Sequence, residues 1–318
     1  MYKILLTHHL PQPGIEKLQQ SVNLEIPNPD GMNYDAIYEV IESYDGLILT
    51  GGVKIDEQLL DKAKKLKIIA NYGVGYDSIN TVYAKKKGVL VTNTPDPVIE
   101  PTAEIAFGLM VSLMRNITAL DRKLRENPDF KWDFMQNLGT RMYGKTLGII
   151  GFGNIGKAVA RRANAFGMKV VYFNRSKKPK EIEKEFQADF LPFNELLKTA
   201  DVISLHAPYT KETYHLIGRE ELLLMKKTAF LVNTSRGPVV DEAALVTALQ
   251  DKEICGAGLD VYENEPKISP ELLEMDNVVL TPHIGTTTLE SRTDMALSVS
   301  ESILTLIDGK IPVNVVNS

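Results

Sequence analysis

Short apolar runs of four or five residues alternate along this chain with longer stretches whose apolar residues recur at helical spacing. In the first hundred residues the runs are Lys3–Thr7, Asn23–Ile26, Gly46–Leu49, Lys67–Asn71 and Gly88–Thr92. Between them lie PGIEKLQQ, YDAIYEVIES, DEQLLDKAKK and INTVYAKKK. Strands alternating with amphipathic helices predict a parallel sheet covered on both faces. The pattern breaks at PDPVIEP, Pro95 to Pro101, where three prolines in seven residues continue neither strand nor helix. Beyond the break, PTAEIAFGLMVSLMRNITALDRKLREN predicts one long helix, opened by Pro101 and closed by Asn127-Pro128.

A second alternating series starts at Lys145, with strands TLGII, KVVYF, DVISLH, AFLVNT, AGLD and NVVLTPH. It ends in a helical stretch, Thr288 to Leu306, followed by GKIPVNVV. The two halves read as related doubly wound sheets, so ligands belong at the strand C-terminal ends and in the cleft between lobes. A chain of 318 residues, 44% of them hydrophobic, suffices for about two domains. A net charge of −5 gives no general attraction to nucleic acid or anionic lipid. The one cysteine, Cys255, forms no internal disulfide, which fits a reducing compartment. MYKILLTHHL reads as a strand and not as a signal peptide, and the most apolar helix, Ile105 to Met114, is shorter than the ~18 residues a membrane span requires. These features predict a soluble, cytoplasmic protein with no nucleic-acid or membrane partner.

The first candidate chemistry is a glycine turn. Gly151, Gly153 and Gly156 lie between the strand TLGII and an amphipathic helix, the arrangement that brings a bare backbone and a helix N-terminus to a dinucleotide pyrophosphate. A tight turn without a ligand uses the same residues, but the strand before and the helix after favour the dinucleotide. Such turns are normally completed by an acidic residue roughly 20 positions on, which accepts from the adenosine ribose. Here the second strand runs into Asn174-Arg175-Ser176, all of which can donate to a phosphate. The prediction is therefore NADP(H) preferred, with NAD(H) possible. Lys177 and Lys178 read as solvated surface.

Arg236, Glu265 and His283 each sit on or just past a strand end of the second series. Singly they would be a surface cation, a solvated carboxylate and a structural imidazole. Together they fall where open α/β sheets place their ligand sites. His8, His9 and His215 lack that support and read as surface or structural. No cluster has metal-ligand spacing, so no metal is predicted.

The motifs NYGVGYD, PTAEIAFGLM, GIIGFGNIG, SLHAPYT, LVNTSRGPVVDEAAL, GAGLDVYENEP and LTPHIGTTT, in this order across essentially the whole chain, resemble those of the D-isomer-specific 2-hydroxyacid dehydrogenase family. The resemblance implies an α/β protein of two doubly wound parallel-sheet domains. A Rossmann nucleotide-binding domain, residues 100–286, would be inserted in a flavodoxin-like substrate-binding domain made of residues 1–99 and 287–318. Arg236 would bind the carboxylate and carbonyl oxygen of a small 2-oxo acid. His283 would be the general acid of reduction and the base of the reverse reaction, oriented by Glu265. Backbone N–H groups at Val74 and Gly75 would hold the substrate carboxylate from the other lobe. On the cofactor side, Gly151, Phe152, Gly153, Asn154, Ile155 and Gly156 would cradle the pyrophosphate. Thr102 would face the nicotinamide half, and His206, Ala207 and Pro208 would line the adenosine side, although a hydrogen-bonded strand-end role for His206 stands equally open. Thr234, Ser235, Arg236, Asp260, His283, Gly285 and Thr286 would surround the nicotinamide, Asp260 accepting from its carboxamide.

The family generally keeps an acid where this chain has Asn174 when it uses NAD, which supports a phosphate-bearing cofactor. The Asn-Arg-Ser strand end and HIGTTT resemble the glyoxylate and hydroxypyruvate reductase branch, including its 2-ketogluconate relatives. Glu265 stands where formate dehydrogenases carry Gln. Two rivals stay open: a dinucleotide-sensing corepressor of the same fold, and an NAD-dependent phosphoglycerate dehydrogenase, the latter disfavoured by Asn174 and by the short stretch after the last helix. A homodimer through the nucleotide domain is implied, with Trp132 either at that interface or an ordinary partly buried anchor.

Overall fold

The computed structural model describes residues 1–26, 31–127, 129–131 and 133–318, so Trp132 and Pro128 lie outside the described residues. Its chain divides into two compact units, Met1–Val98 with Thr286–Ser318, and Ile99–Gly285.

The first unit runs β1 (Lys3–Leu6), α1 (Gln12–Ser21), β2 (Asn23–Glu25), α2 (Tyr34–Val40), β3 (Gly46–Leu49), α3 (Glu57–Lys62), β4 (Ile68–Asn71), α4 (Thr81–Lys86) and β5 (Leu90–Thr92). In the second unit α5 (Ile99–Met114) and α6 (Ile117–Glu126) precede β6 (Thr146–Ile150), α7 (Asn154–Ala165), β7 (Lys169–Phe173), α8 (Lys180–Glu185), β8 (Ala188–Phe190) and α9 (Phe193–Thr199). It continues with β9 (Val202–Leu205), α10 (Arg219–Leu224), β10 (Phe230–Asn233), α11 (Glu242–Gln250), β11 (Gly256–Leu259), α12 (Pro270–Glu274) and β12 (Val278–Leu280). The last helix, α13 (Leu289–Ile307), returns to the first unit.

Both sheets are wholly parallel, in the orders β2-β1-β3-β4-β5 and β12-β11-β10-β9-β6-β7-β8. The first is the flavodoxin-like order and the second the Rossmann order, as the family resemblance implied. Strands β3, β4, β9, β10 and β11 are buried along their whole length, which is why they appear in sequence as continuous apolar runs and not as alternating ones. The second sheet is covered by two apolar layers, one carrying α5 and α7, the other α9 and α11.

Two expectations need correction. The long helix is two helices meeting at 63°. Asn116 adopts a left-handed conformation (φ 56°), and the returning chain takes over the end of α5, where the Thr140 amide donates to Met114 O at 2.6 Å. The burial of the two pieces differs as well: α5 buries eight residues, among them Ala103, Ala106 and Met110, whereas α6 buries none. The second sheet also has a seventh strand, β8, a three-residue edge strand containing Asp189 that the pattern of apolar runs does not reveal. Among the described residues no single helix is long and apolar enough to cross a membrane.

Candidate active site

The order of the second sheet reverses between β6 and β9, and the glycine turn leaves β6 at that point. Each glycine does a different job. Gly151 has φ 96°, and a Cβ there would lie 2.5 Å from the backbone of His206 and Ala207, so this glycine permits the tight turn. A Cβ on Gly156 would come within 2.5 Å of Gly151 O, so this one lets α7 pack onto the turn. Gly153, at the N-cap of α7, has nothing within 4 Å of that position. Its missing side chain clears space on the open side, where the unpaired first-turn amides of α7 favour an anion. These residues fit a dinucleotide pyrophosphate. Phe152 does not extend a side chain to it: the ring is fully buried and stacks on Tyr172 with centroids 4.4 Å apart.

The end of β7 is tied directly to this turn, because Phe152 N donates to Asn174 Oδ1 at 2.7 Å. With Oδ1 engaged, the amide NH2 of the half-buried Asn174 is the end available to a ligand. Arg175 and Ser176 are exposed beside it. Glu212 is an acidic neighbour that sequence reasoning missed. Hydrogen bonding to Thr210 and to its own backbone, with a smaller contribution from the charge of Arg175, holds its carboxyl below the ordinary range.

At the end of β9, His206 Nε2 lies 2.8 Å from Ser204 Oγ and Nδ1 lies 3.5 Å from Thr234 Oγ1. The residue is partly exposed, yet the dense surroundings of the ring dominate and burial pushes its pKa down to about 3. His206 is therefore a neutral, hydrogen-bonded strand-end residue. Ala207 is buried and Pro208 exposed.

The catalytic candidates come from three adjacent strand ends. Asn233, buried at the end of β10, shapes the first turn: its Oδ1 accepts from Ser235 N (3.0 Å) and Oγ (2.8 Å), and its Nδ2 donates to Arg236 O (3.0 Å). Arg236 itself donates from Nη1 to Ser235 O at 2.9 Å. Glu265 follows β11, its Oε1 accepting from Tyr262 N at 3.0 Å and its Oε2 lying 2.9 Å from His283 Nδ1. Burial opposes ionisation of Glu265. The hydrogen bonds from His283 and Tyr262 N, with the charges of His283 and Arg236, outweigh it and keep the carboxyl below its ordinary pKa. An ionised carboxylate only accepts, so Nδ1 carries the proton donated to it and Nε2 is the nitrogen left to exchange one.

His283 is held in place by Asp260 and Thr102. The almost fully buried Asp260 accepts from Thr281 Oγ1 (2.6 Å) and Ile284 N (2.8 Å) through Oδ1, and from Gly285 N (2.9 Å) through Oδ2. His283 N donates to Asp260 O at 2.9 Å, fixing the residue in its left-handed conformation (φ 53°). Thr102 Oγ1 donates to Gly285 O at 3.3 Å. Tyr262 OH donates to Thr281 O at 2.9 Å, and burial together with the charges of Asp260 and Glu265 pushes its pKa up to about 12, so it remains a donor. Thr286, half-buried, begins the chain's return to the first unit.

In the first unit the turn Gly73-Val74-Gly75 has its carbonyls drawn inward. Asn71 Nδ2 donates to Gly73 O (2.9 Å) and Gly75 O (2.8 Å), and Asn93 Nδ2 donates to Val74 O (2.9 Å). That arrangement turns the amides of Val74 and Gly75 outward as donors for an anion. Asn71, Asn93 and Asn233 were all missed from sequence, where their only mark is an asparagine at or just after the end of an apolar run. His8 and His9 are exposed, whereas His215 is bonded to Glu263. Among the described residues no group of three or more His, Cys, Asp or Glu could hold a metal ion.

A doubly wound nucleotide fold with an imidazole–carboxylate pair at adjacent strand ends is the outline of a nicotinamide-dependent oxidoreductase. Residues 107–285 match the model of the D-isomer specific 2-hydroxyacid dehydrogenase NAD binding domain. The chain is 45% identical to the glyoxylate reductase of Thermococcus litoralis, over 99% of this chain and 96% of the relative. It is similar in structure to a glyoxylate reductase from Paecilomyes thermophila (34% identity, TM-score 0.89, 99% and 98% of the two chains). It is similar, too, to an NADPH-dependent glyoxylate/hydroxypyruvate reductase from Sinorhizobium meliloti in complex with NADP and malonate (29% identity, TM-score 0.86, 99% and 96%). The chain belongs to the D-isomer specific 2-hydroxyacid dehydrogenase family. It is an NAD(P)-dependent oxidoreductase of that class, a 2-oxo acid reductase.

Proposed function

We propose that this enzyme reduces a small 2-oxo acid, glyoxylate, hydroxypyruvate or 2-ketogluconate, to the D-2-hydroxy acid, with NADPH preferred over NADH. The observation that carries the reading is the 2.9 Å His283–Glu265 pair, in which Glu265 stays ionised and leaves Nε2 of His283 as the proton-exchanging atom. When bound, the reduced nicotinamide supplies a hydride to the carbonyl carbon. His283 Nε2 gives the carbonyl oxygen its proton, and Glu265 stabilises the imidazolium before that transfer. Arg236 binds the substrate carboxylate and carbonyl oxygen with its planar fork of donors. Val74 and Gly75, with their outward amides, are substrate-binding residues of the domain made of residues 1–99 and 287–318, and residues 100–286 are the dinucleotide-binding domain. The α7 amides beyond Gly153 hold the pyrophosphate, and the Asn174 NH2, Arg175 and Ser176 hold the 2′-phosphate.

The active form is a homodimer. Ile117, Leu124, Phe134, Met135, Leu138, Tyr143 and Phe166 are large apolar side chains left exposed on α6, the loop after it and the end of α7, a surface that a second copy would cover. The deciding experiment is a panel of glyoxylate, hydroxypyruvate, 2-ketogluconate and pyruvate with each reduced cofactor, followed by loss of nicotinamide absorbance. The reading expects turnover of at least one of the first three with a higher kcat/KM for NADPH. Tight dinucleotide binding with no turnover of any 2-oxo acid would instead identify a dinucleotide-sensing binding protein.

A further inference from the structure

Beside the Arg236 turn and the Glu265 loop lies a second set of titratable groups that the proposed chemistry does not use. Glu263 Oε1 is 2.6 Å from His215 Nε2, and Glu263 Oε2 accepts from the Glu242 amide at 3.2 Å. Glu242 answers in kind: its Oε2 accepts from the Glu263 amide at 3.0 Å, and its Oε1 accepts from Ser269 Oγ at 2.5 Å. Glu242 is only 7% exposed. Glu242 is nearly buried and Glu263 only partly exposed, so their carboxylate oxygens need hydrogen-bond donors around them. The first-turn amide of α11, at Glu242, supplies one donor, and His215 supplies another. Asp241 Oδ2 stands 3.8 Å from His215 Nδ1, and the Tyr214 ring stacks on the imidazole at 3.9 Å.

This cluster ties three segments together. His215 N donates to Pro238 O (2.8 Å) and Ile217 N to Val239 O (3.1 Å), which seats the His215 segment on the chain leaving Arg236. Gly237 fixes that chain against the approach to Glu265, since a Cβ on it would fall 1.8 Å from Tyr262 O. Arg236 and Glu265 thus hang from opposite sides of one clamp. We propose that His215, Glu263 and Glu242 are positioning residues that fix the Arg236 turn and the Glu265 loop relative to one another, so that Glu265 meets His283 in the geometry that supports its protonated form. The proposal rests on the reading above, that Arg236, Glu265 and His283 carry the reaction.

The test compares full-length wild type, His215→Leu, His215→Gln, Glu263→Gln and Glu265→Gln, with kcat for glyoxylate reduction measured across pH. Leucine removes the donor to Glu263, whereas the glutamine amide N–H restores it. His215→Leu is expected to lower kcat about tenfold and to move the alkaline limb of the profile to lower pH, because a displaced Glu265 supports the imidazolium less. His215→Gln should stay within about twofold of wild type. Should His215→Leu not fold, Glu263→Gln reads the same limb. Equal losses in His215→Leu and His215→Gln at every pH would reduce the cluster to scaffold and overturn the proposal. So would an unmoved limb in a folded His215→Leu or Glu263→Gln variant when Glu265→Gln moves it. Failure of wild type to turn over any 2-oxo acid, or an unmoved limb in Glu265→Gln, would instead overturn the underlying reading.

Discussion

Asn174→Asp is the sharpest probe of cofactor choice, because it alters charge without removing the bond that holds the strand end to the glycine turn. Asn174 Oδ1 already accepts from Phe152 N at 2.7 Å, and an aspartate oxygen can keep that bond. What changes is the other end of the side chain, from an NH2 donor to an anionic oxygen. At about 5 Å, with an effective dielectric of about 40–80 for a half-exposed site, two unit charges repel by about 1–2 kcal/mol. A 2′-phosphate carries more than one charge, and loss of the donor removes a hydrogen bond, so NADPH should lose about 2–3 kcal/mol. NADH should gain about 1 kcal/mol as the new carboxylate accepts from the ribose 2′-hydroxyl. The ratio of kcat/KM for NADPH over NADH should therefore fall by roughly a hundredfold or more. The assay measures both values at saturating 2-oxo acid and at two salt concentrations, since the repulsive part weakens as salt screens it. A ratio that moves less than about threefold, or equal losses for both cofactors, would refute phosphate recognition at Asn174 and leave it as a tether of the Phe152 turn.

Two of the three glycines and two further features give independent checks. Gly151→Ala, with φ 96° and contacts at 2.5 Å to backbone, should cost at least about 3 kcal/mol, roughly 6–12 °C in thermal midpoint, whereas Gly153→Ala should leave the midpoint nearly unchanged and weaken dinucleotide binding by about tenfold. Calorimetry and cofactor titration read both, and similar behaviour of the two variants would contradict this division of labour between the glycines. Glu265 has a depressed folded pKa, so the stability it contributes is present above its ordinary value of 4.5 and is lost as pH falls through the lowered one. The gap in urea midpoint between wild type and Glu265→Gln, worth about 1 kcal/mol or less for so exposed a pair, should close on acidification, and a gap that stays constant would count against the pairing. Introducing Phe134→Glu with Leu138→Glu should convert a dimer into a monomer by light scattering, and an unchanged mass would place the interface elsewhere.

The legible parts of this molecule are those set by local pattern, and the illegible parts are those set by partners far along the chain. Continuous apolar runs such as Gly46–Leu49 and Phe230–Asn233 read directly as buried parallel strands, because both faces of each are covered. The strand ends followed from topology, and they gave Arg236, Glu265 and His283 as a set before any contact between them was visible. The break at Asn116 was hidden, since Thr140, 24 residues on, supplies the amide that ends α5. His215 was read as bland for the same reason: its partner Glu263 is 48 residues away, and nothing at either position marks the pair. Asn174 shows how far a local reading can go and where it stops. Its place at the strand end identified it as the missing acid of the fingerprint, but its bond to Phe152 N shows that the position has a structural duty as well. An amide satisfies that duty as well as a carboxylate does, so Asn174 can stand at this position without loosening the turn.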